Sequence, residues 1–191
     1  MCDVSIVKCE SYAPEVCARA LTEALAPFGG LAWVQPGMRI VIKANLVSAM
    51  KPDAAATTHP ALLRALTLAL QERGASVVIG DSPGGLYNET FLNRVYHVTG
   101  MTETGAALNY DFSQKDAVFP EAYVARHFTY TAYLDNADAV ISFCKLKSHG
   151  MMSLSAATKN LFGAIPGTMK PEYHFRYPDP LDFAGMIVDL N

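Results

Sequence analysis

No uncharged apolar run in these 191 residues reaches the roughly 18 that a membrane-spanning helix needs. The opening stretch, MCDVSIVKCESY, has no basic head followed by an apolar segment, so it does not read as a secretory signal. Four cysteines are present (Cys2, Cys9, Cys17 and Cys144), with no CxxC pair and no ferredoxin-type run, so reduced core thiols are expected. No HExxH and no His/carboxylate pair at helical spacing occurs, so a preformed mononuclear metal site is not supported. An excess of positive charge is also missing. Fifteen Lys and Arg face 18 Asp and Glu, a net charge of −3, which argues against general binding to nucleic acid or a membrane surface. What remains is 51% hydrophobic and 17% charged, enough for one globular domain with a real core, expected in the cytoplasm.

Strand and helix patterns alternate along the chain. Short β-branched runs predict strands at VSIVK (4–8), MRIVIK (38–43), ASVVIGD (75–81) and ADAVISFCK (137–145). Helical spacing predicts PEVCARALTEALAPF (14–28), Pro60 to Arg73 with Gly74 as its stop, ETFLNRVYHVTG (89–100) and SLSAATKNLFG (153–163). TYTAYL, before Asp135, suits an edge strand, and KPEYHFRYPDP (170–180) reads as an extended loop. This alternation predicts an α/β fold with a mainly parallel sheet flanked by helices, Rossmann-like in its layering.

Charge is uneven within this mildly acidic chain. From Val140 to Pro178 the basic residues are Lys145, Lys147, Lys159, Lys170 and Arg176, against Glu172 alone. A local basic patch on an acidic protein suits a small anion better than a polyanion. In a parallel sheet the strand-to-helix connections leave from the carboxyl edge, where ligands bind. Three loops are expected there. One carries Lys43, Asn45, Thr57, Thr58 and His59. The second is GDSPGG (80–85), and the third is KLKSHGMMS with Lys145, Lys147 and His149. Glycines 80, 84 and 85 permit close backbone approach, so the second loop could cradle an anion with its N–H groups. It lacks GxGxxG and the Walker Lys-Ser/Thr ending, and a tight turn with Asp81 accepting backbone N–H bonds explains it equally well.

His149 follows two lysines that favour its neutral form, ready to donate, accept or ligate. His59 reads as a functional group or as a helix-entry residue, and His174 as a functional group or as packing. His97 and His127 read as structural. Ser153 and Ser155 lie in no GxSxG, and Ser153 reads as an N-cap for the helix carrying Lys159 and Asn160.

IVIKANLV (40–47), TTHP (57–60), IGDSPGG (79–85), KLKSHGMMSLSAATKNLFGAIPG (145–167) and KPEYH (170–174) together resemble the domain-of-unknown-function 362 family, often described as iron–sulfur-centre proteins. The likeness runs from about Val4 to the last residue. Positions matching its motifs are Lys43, Asn45, Thr58, His59, Asp81, Lys145, Lys147, His149, Lys159, Asn160 and His174, which the resemblance makes candidate site residues. Relatives of this kind often carry a [4Fe–4S] cluster in a ferredoxin-type domain. The cysteine pattern for it is absent here, so the cofactor of this chain stays unassigned. A more distant likeness of architecture to lactate-racemase-like proteins hints at metal-cofactor chemistry.

The expectation is a domain that binds a small anionic substrate or cofactor in a Lys/His-lined cleft, as part of a redox-linked enzyme. Lys43, Lys145 and Lys147 would hold phosphate or carboxylate, His149 would move a proton, and the backbone around Asp81, Ser82, Gly84 and Gly85 would bind a second anionic group. The alternative is a non-catalytic ligand-binding or scaffold domain using the same rim. Leu181, Ala184, Ile187 or Val188, and Leu190 form an apolar stripe still running at the end of the sequence. From this the chain is expected to be the N-terminal part of a longer protein, its last helix covered by the missing part or by a second copy.

Overall fold

The computed structural model describes residues 4–191. Its centre is a four-stranded parallel sheet in the order β3 (Ala107–Leu108), β2 (Ser76–Gly80), β1 (Arg39–Lys43), β6 (Ala139–Ser142). β1 (Arg39–Lys43) and β2 (Ser76–Gly80) are β-branched runs buried on both faces, as a central parallel strand requires. They pair in register from Arg39↔Ser76 to Lys43↔Gly80, and β6 (Ala139–Ser142) pairs with the other side of β1. β3 is a two-residue strand, Ala107–Leu108, on the outer edge of β2.

α1 (Pro14–Leu25) precedes the sheet, α2 (Pro60–Gln71) joins β1 to β2, and α3 (Glu89–Val98) lies between β2 and β3. Each start has a local cause. Pro14 and Pro60 occupy first-turn positions, where the missing N–H costs nothing. The Asn88 side chain accepts from the Phe91 N–H at 3.0 Å and caps α3. Gly74 and Gly100 take left-handed φ of +83° and +76° after α2 and α3. Leu63, Leu66 and Leu70 of α2 and Leu92, Val95 and Tyr96 of α3 bury against Ile40, Ile42, Val77 and Ile79. Full burial of each such aliphatic side chain contributes about 1.5–3 kcal/mol. Val41 and Val78, on the opposite face, pack on Tyr133. The α/β architecture with a parallel sheet is therefore the one the alternation predicts.

Five local expectations are corrected. Residues 4–8 form no strand, and Ile6 is 92% exposed; β-branched residues favour strands by packing on a half-buried pleated surface, which Ile6 does not have. TYTAYL does start in a strand, but β5 (His127–Thr131) pairs with β4 (Gln114–Val118) in a separate hairpin. Its second half turns as a 3-10 helix, Ala132–Leu134, which brings Tyr133 onto the main sheet. The helix expected over 153–163 is instead three pieces: β8 (Ser153–Ser155) paired with β7 (Lys147–His149), a single turn α4 (Ala157–Asn160), and a 3-10 turn, Leu161–Ala164. Ser153 has φ 57° within the hairpin and is not an N-cap; Ala156 holds that position. The supposed extended loop at 170 is helix α5 (Lys170–Arg176), with Pro171 in its first turn.

α6 (Pro180–Leu190) is capped by Asp179, whose carboxylate accepts from the Leu181 N–H at 2.8 Å. Phe183, Met186 and Ile187 form the second core with Phe128, Phe162, Ile165 and Tyr173. The Asp189 carboxylate accepts the N–H groups of Tyr123, Val124 and Ala125 at 2.6–2.8 Å, tying the loop before β5 to this helix. Leu181 and Val188 remain 82% and 64% exposed. Among the thiols, Cys17 is a core residue, Cys144 is half-buried and Cys9 is exposed, so the core-thiol expectation fails for Cys9; Cys2 lies outside the described residues. No helix among the described residues is long and apolar enough to cross a membrane.

Candidate functional site

From β1 the chain moves outward to β2 and β3, then returns to place β6 on the other side of β1. Connections leaving β1 and β6 diverge at that point, and a crevice opens at the carboxyl ends of the two strands. The loop after β1, the loop after β2 and the β7–β8 hairpin after β6 all border this crevice, with α4 and α5. They enclose a cavity of about 400 Å³ lined by residues of all three loops.

Its floor is an ion pair. Lys43, the last residue of β1, is 0% exposed, and its Nζ donates to Asp81 Oδ1 at 2.5 Å and to the Ala44 carbonyl at 2.8 Å. Asp81 Oδ2 accepts the Leu46 N–H at 2.7 Å. Gly163 lies directly over this pair, and any Cβ there would collide with Asp81 Oδ1 and Lys43 Nζ. Lys43 is thus committed to Asp81 under the floor and does not extend into the cavity, contrary to the anion-holding role expected of it.

Above the floor, two asparagines stitch the loops together. Asn160 donates through Nδ2 to the Lys43 carbonyl at 2.9 Å and to Ser142 Oγ at 3.1 Å. Its Oδ1 accepts from Asn45 Nδ2 at 3.2 Å, and Asn45 Oδ1 accepts from Lys147 Nζ at 2.6 Å. Thr58 is buried beside them, its Oγ1 accepting from the Asn45 N–H and donating to the Phe143 carbonyl.

Two N–H groups of the GDSPGG loop are spoken for, which takes Ser82 and Gly84 out of the expected N–H cradle. Ser82 N–H donates to the Gly163 carbonyl at 3.1 Å, and Gly84 N–H to the Val47 carbonyl at 3.2 Å. Ser82 Oγ accepts the Gly167 N–H at 2.7 Å. Asp81, Ser82 and Gly84 line the cavity; Gly85 does not, and its φ of 125° serves the turn toward α3.

Cationic groups converge on the remaining walls. Lys147, Lys159 and Lys170 line the cavity with His149 and His174. Burial lowers the proton affinity of all five. For Lys170 burial dominates, helped by the Lys43 and Lys159 ammoniums and opposed by Asp81, and brings its pKa down to about 8. For His149 burial is followed by Lys159, His174 and Lys147, and for His174 by Lys159 and Lys170. His149 Nδ1 accepts the N–H groups of Met151 and Met152, each at 3.2 Å, so its neutral ring carries the proton on Nε2. His174 stacks on Phe183 at 4.6 Å between centroids, so it packs and lines the cavity at once.

Two expected members lie elsewhere. His59 stacks on Tyr12 at 3.4 Å, and its Nδ1 accepts the Ala61 N–H as the N-cap of α2. Lys145 is outside the cavity wall, close enough to His59 to lower its proton affinity after burial has done so. Conversely, Lys170, Ser155, Phe162 and Gly163 belong to the cavity and were not singled out as site residues. Lys170 was legible in principle: Lys170 and His174 are four residues apart, so they share one face once the segment is helical. Other concavities, a groove of about 230 Å³ between α1 and α2 and an apolar one of about 430 Å³ beside β6, gather no comparable set of cations. No group of three or more His, Cys, Asp or Glu among the described residues could hold a metal ion.

Fold and cleft together define a class: an α/β protein whose parallel sheet carries a lysine- and histidine-lined cavity at its switch point. The chain belongs to the family described as Domain of unknown function (DUF362), which it matches over residues 40–191, a span holding every cavity-lining residue. It is also similar to the thylakoid-associated protein sll1697 of Synechocystis sp., at 29% identity over 192 residues, which cover 97% of this chain. The chain spans 58% of the length of that curated relative. No solved structure matches it.

Proposed function

We propose that the cleft binds a small molecule through a phosphate or carboxylate group. One observation carries this reading: three lysine side chains face a single cavity whose only lining carboxylate among the described residues, Asp81, is already neutralised by Lys43. Gathering like charges away from water is costly, and a bound anion offsets that cost. Lys147 and Lys170 supply the charge, with Lys159 beside them, and Ser82 and Ser155 supply hydroxyls. Neutral His149 supplies a donor that can protonate a developing oxyanion.

A catalytic role for this cleft is part of the same proposal. Amine chemistry near neutrality requires a lysine with a lowered pKa, and burial lowers that of Lys159, which faces the same cavity. The redox-linked character of the whole enzyme rests on the family resemblance.

Inorganic phosphate is expected to raise the melting temperature of the protein. The double variant Lys147→Met, Lys170→Met should lose that rise, while Lys145→Met keeps it; an unchanged rise in the double variant would remove the site from this cleft. The effect is also expected to depend on pH. Lys170 is charged below its lowered pKa of about 8 and neutral above it. Phosphate affinity should therefore fall by roughly an order of magnitude between pH 7 and 9. Without phosphate, the folded state binds fewer protons than the unfolded between about pH 8 and the ordinary lysine range, so stability contributed by Lys170 rises through that window. Titration calorimetry across this range checks the first sign and denaturant midpoints check the second.

A further inference from the structure

The three cleft lysines are held differently. Lys147 donates to Asn45 Oδ1 at 2.6 Å and to the Ala56 carbonyl at 2.5 Å. Lys170 donates to the Ser82 carbonyl. Lys159 has no hydrogen-bond acceptor and no carboxylate within 4.0 Å among the described residues; its Nζ lies 5.6 Å from the Phe162 ring centroid, facing the cavity. Its backbone is nevertheless well placed, because the neighbouring Asn160 side chain is tied to β1 and β6. An ammonium wants acceptors for its three protons, and Lys159 finds none among the described residues, which leaves its half-buried Nζ open to the cavity and to a ligand there. A neutral amine in the same place asks for fewer acceptors and presents a lone pair. Burial favours that neutral form as well.

We propose that Lys159 is a nucleophilic amine that forms an imine with the carbonyl carbon of a 2-oxo carboxylate, whose carboxylate is held by Lys147 and Lys170. The inference rests on the anion-binding reading and names the substrate class for it. The Lys159 Nζ lone pair attacks the carbonyl carbon, and the C=O π pair moves to oxygen. That oxygen takes the Nε2 proton of His149, and the new ammonium returns a proton to the same nitrogen, giving a carbinolamine. The nitrogen lone pair then expels the hydroxyl, which takes the Nε2 proton of His149 and leaves as water. The iminium N–H returns a proton to Nε2, leaving the C=N bond. The net change is amine plus carbonyl to imine plus water, with no oxidant or reductant. A cavity of about 400 Å³ limits the ligand to a small 2-oxo acid.

The test uses glyoxylate with cyanoborohydride, which reduces an imine to a stable carboxymethyl-lysine, read by peptide mass spectrometry. Labelling of Lys159 is expected to run at least about tenfold faster than that of the exposed Lys8 and Lys51, because the cleft holds the carboxylate of the reagent beside its unpartnered Nζ. Phosphate should slow it, and Lys159→Arg should abolish it while circular dichroism stays unchanged. Equal labelling of Lys8, Lys51 and Lys159, or an adduct on Lys170 in its place, overturns the proposal. If phosphate stabilises the protein but Lys159 stays unlabelled, the imine fails and the anion site stands. If phosphate gives no stabilisation, the anion reading fails and takes this inference with it.

Discussion

Replacing Asp81 by asparagine is expected to cost about 3–5 kcal/mol, the loss typical of removing one partner from a buried ion pair. Lys43 is fully buried, and Asp81 is the sole carboxylate among the described residues within ion-pairing distance of it. The asparagine could keep the Leu46 N–H bond through its oxygen, but its NH₂ would then face the Lys43 ammonium, donor against donor. Chemical denaturation should show the drop directly. Adding Lys43→Met to Asp81→Asn should recover much of the loss, because the stranded charge is gone; no recovery would mean that the pair is not what holds this floor together. The double variant should also keep the sheet, since β1 and β2 pair through backbone groups over five residues each.

The second large effect is expected at Gly163. Its φ is not in the left-handed region, so alanine brings no backbone strain. The added methyl group would instead enter the space of Asp81 Oδ1 and Lys43 Nζ, and neither can move without breaking the pair. Overpacking of this kind costs about 1–3 kcal/mol. Gly150→Ala is the matched control, since a Cβ at Gly150 meets nothing within 4 Å. Equal denaturation midpoints for the two variants would show that the floor is softer than the geometry implies.

The parallel strands were legible because burial on both faces leaves an unbroken β-branched run, as in RIVIK and SVVIG. Reading their carboxyl edge then led to Asn45, Asp81, Ser82, Gly84, Lys147 and His149, and the family resemblance added Lys159, Asn160 and His174; all nine meet at one cavity. What sequence could not supply was the division of labour. Lys43 and Lys147 look alike in a string of residues, yet one is sealed under the floor and the other opens onto the cavity. Burial and partners make that difference, and the partners are distant in sequence: Asp81 is 38 positions from Lys43 and Asn45 is 102 from Lys147. The segment 153–163 misled for a local reason. Its small and polar residues are tolerated by a helix, but the His149 side chain captures the Met151 and Met152 N–H groups and turns the chain into a hairpin first. KPEYHFR was missed because two prolines nearby suggest a loop, although a proline in a first turn is no obstacle to a helix.

The asparagine stitching has a consequence for how the molecule is made. Asn45 and Asn160 are 115 positions apart, and the Arg39 N–H bond to Asp138 spans 99. Closing such long loops spends chain entropy before any contact repays it, so folding should be slow, with these closures among the last steps. An intermediate built from α1 to α3 around β1 and β2 would hold the large apolar core while the cleft did not yet exist. Ligand affinity should therefore appear late in refolding, lagging behind the recovery of helical signal, and a chain released from synthesis would be compact before it was able to bind.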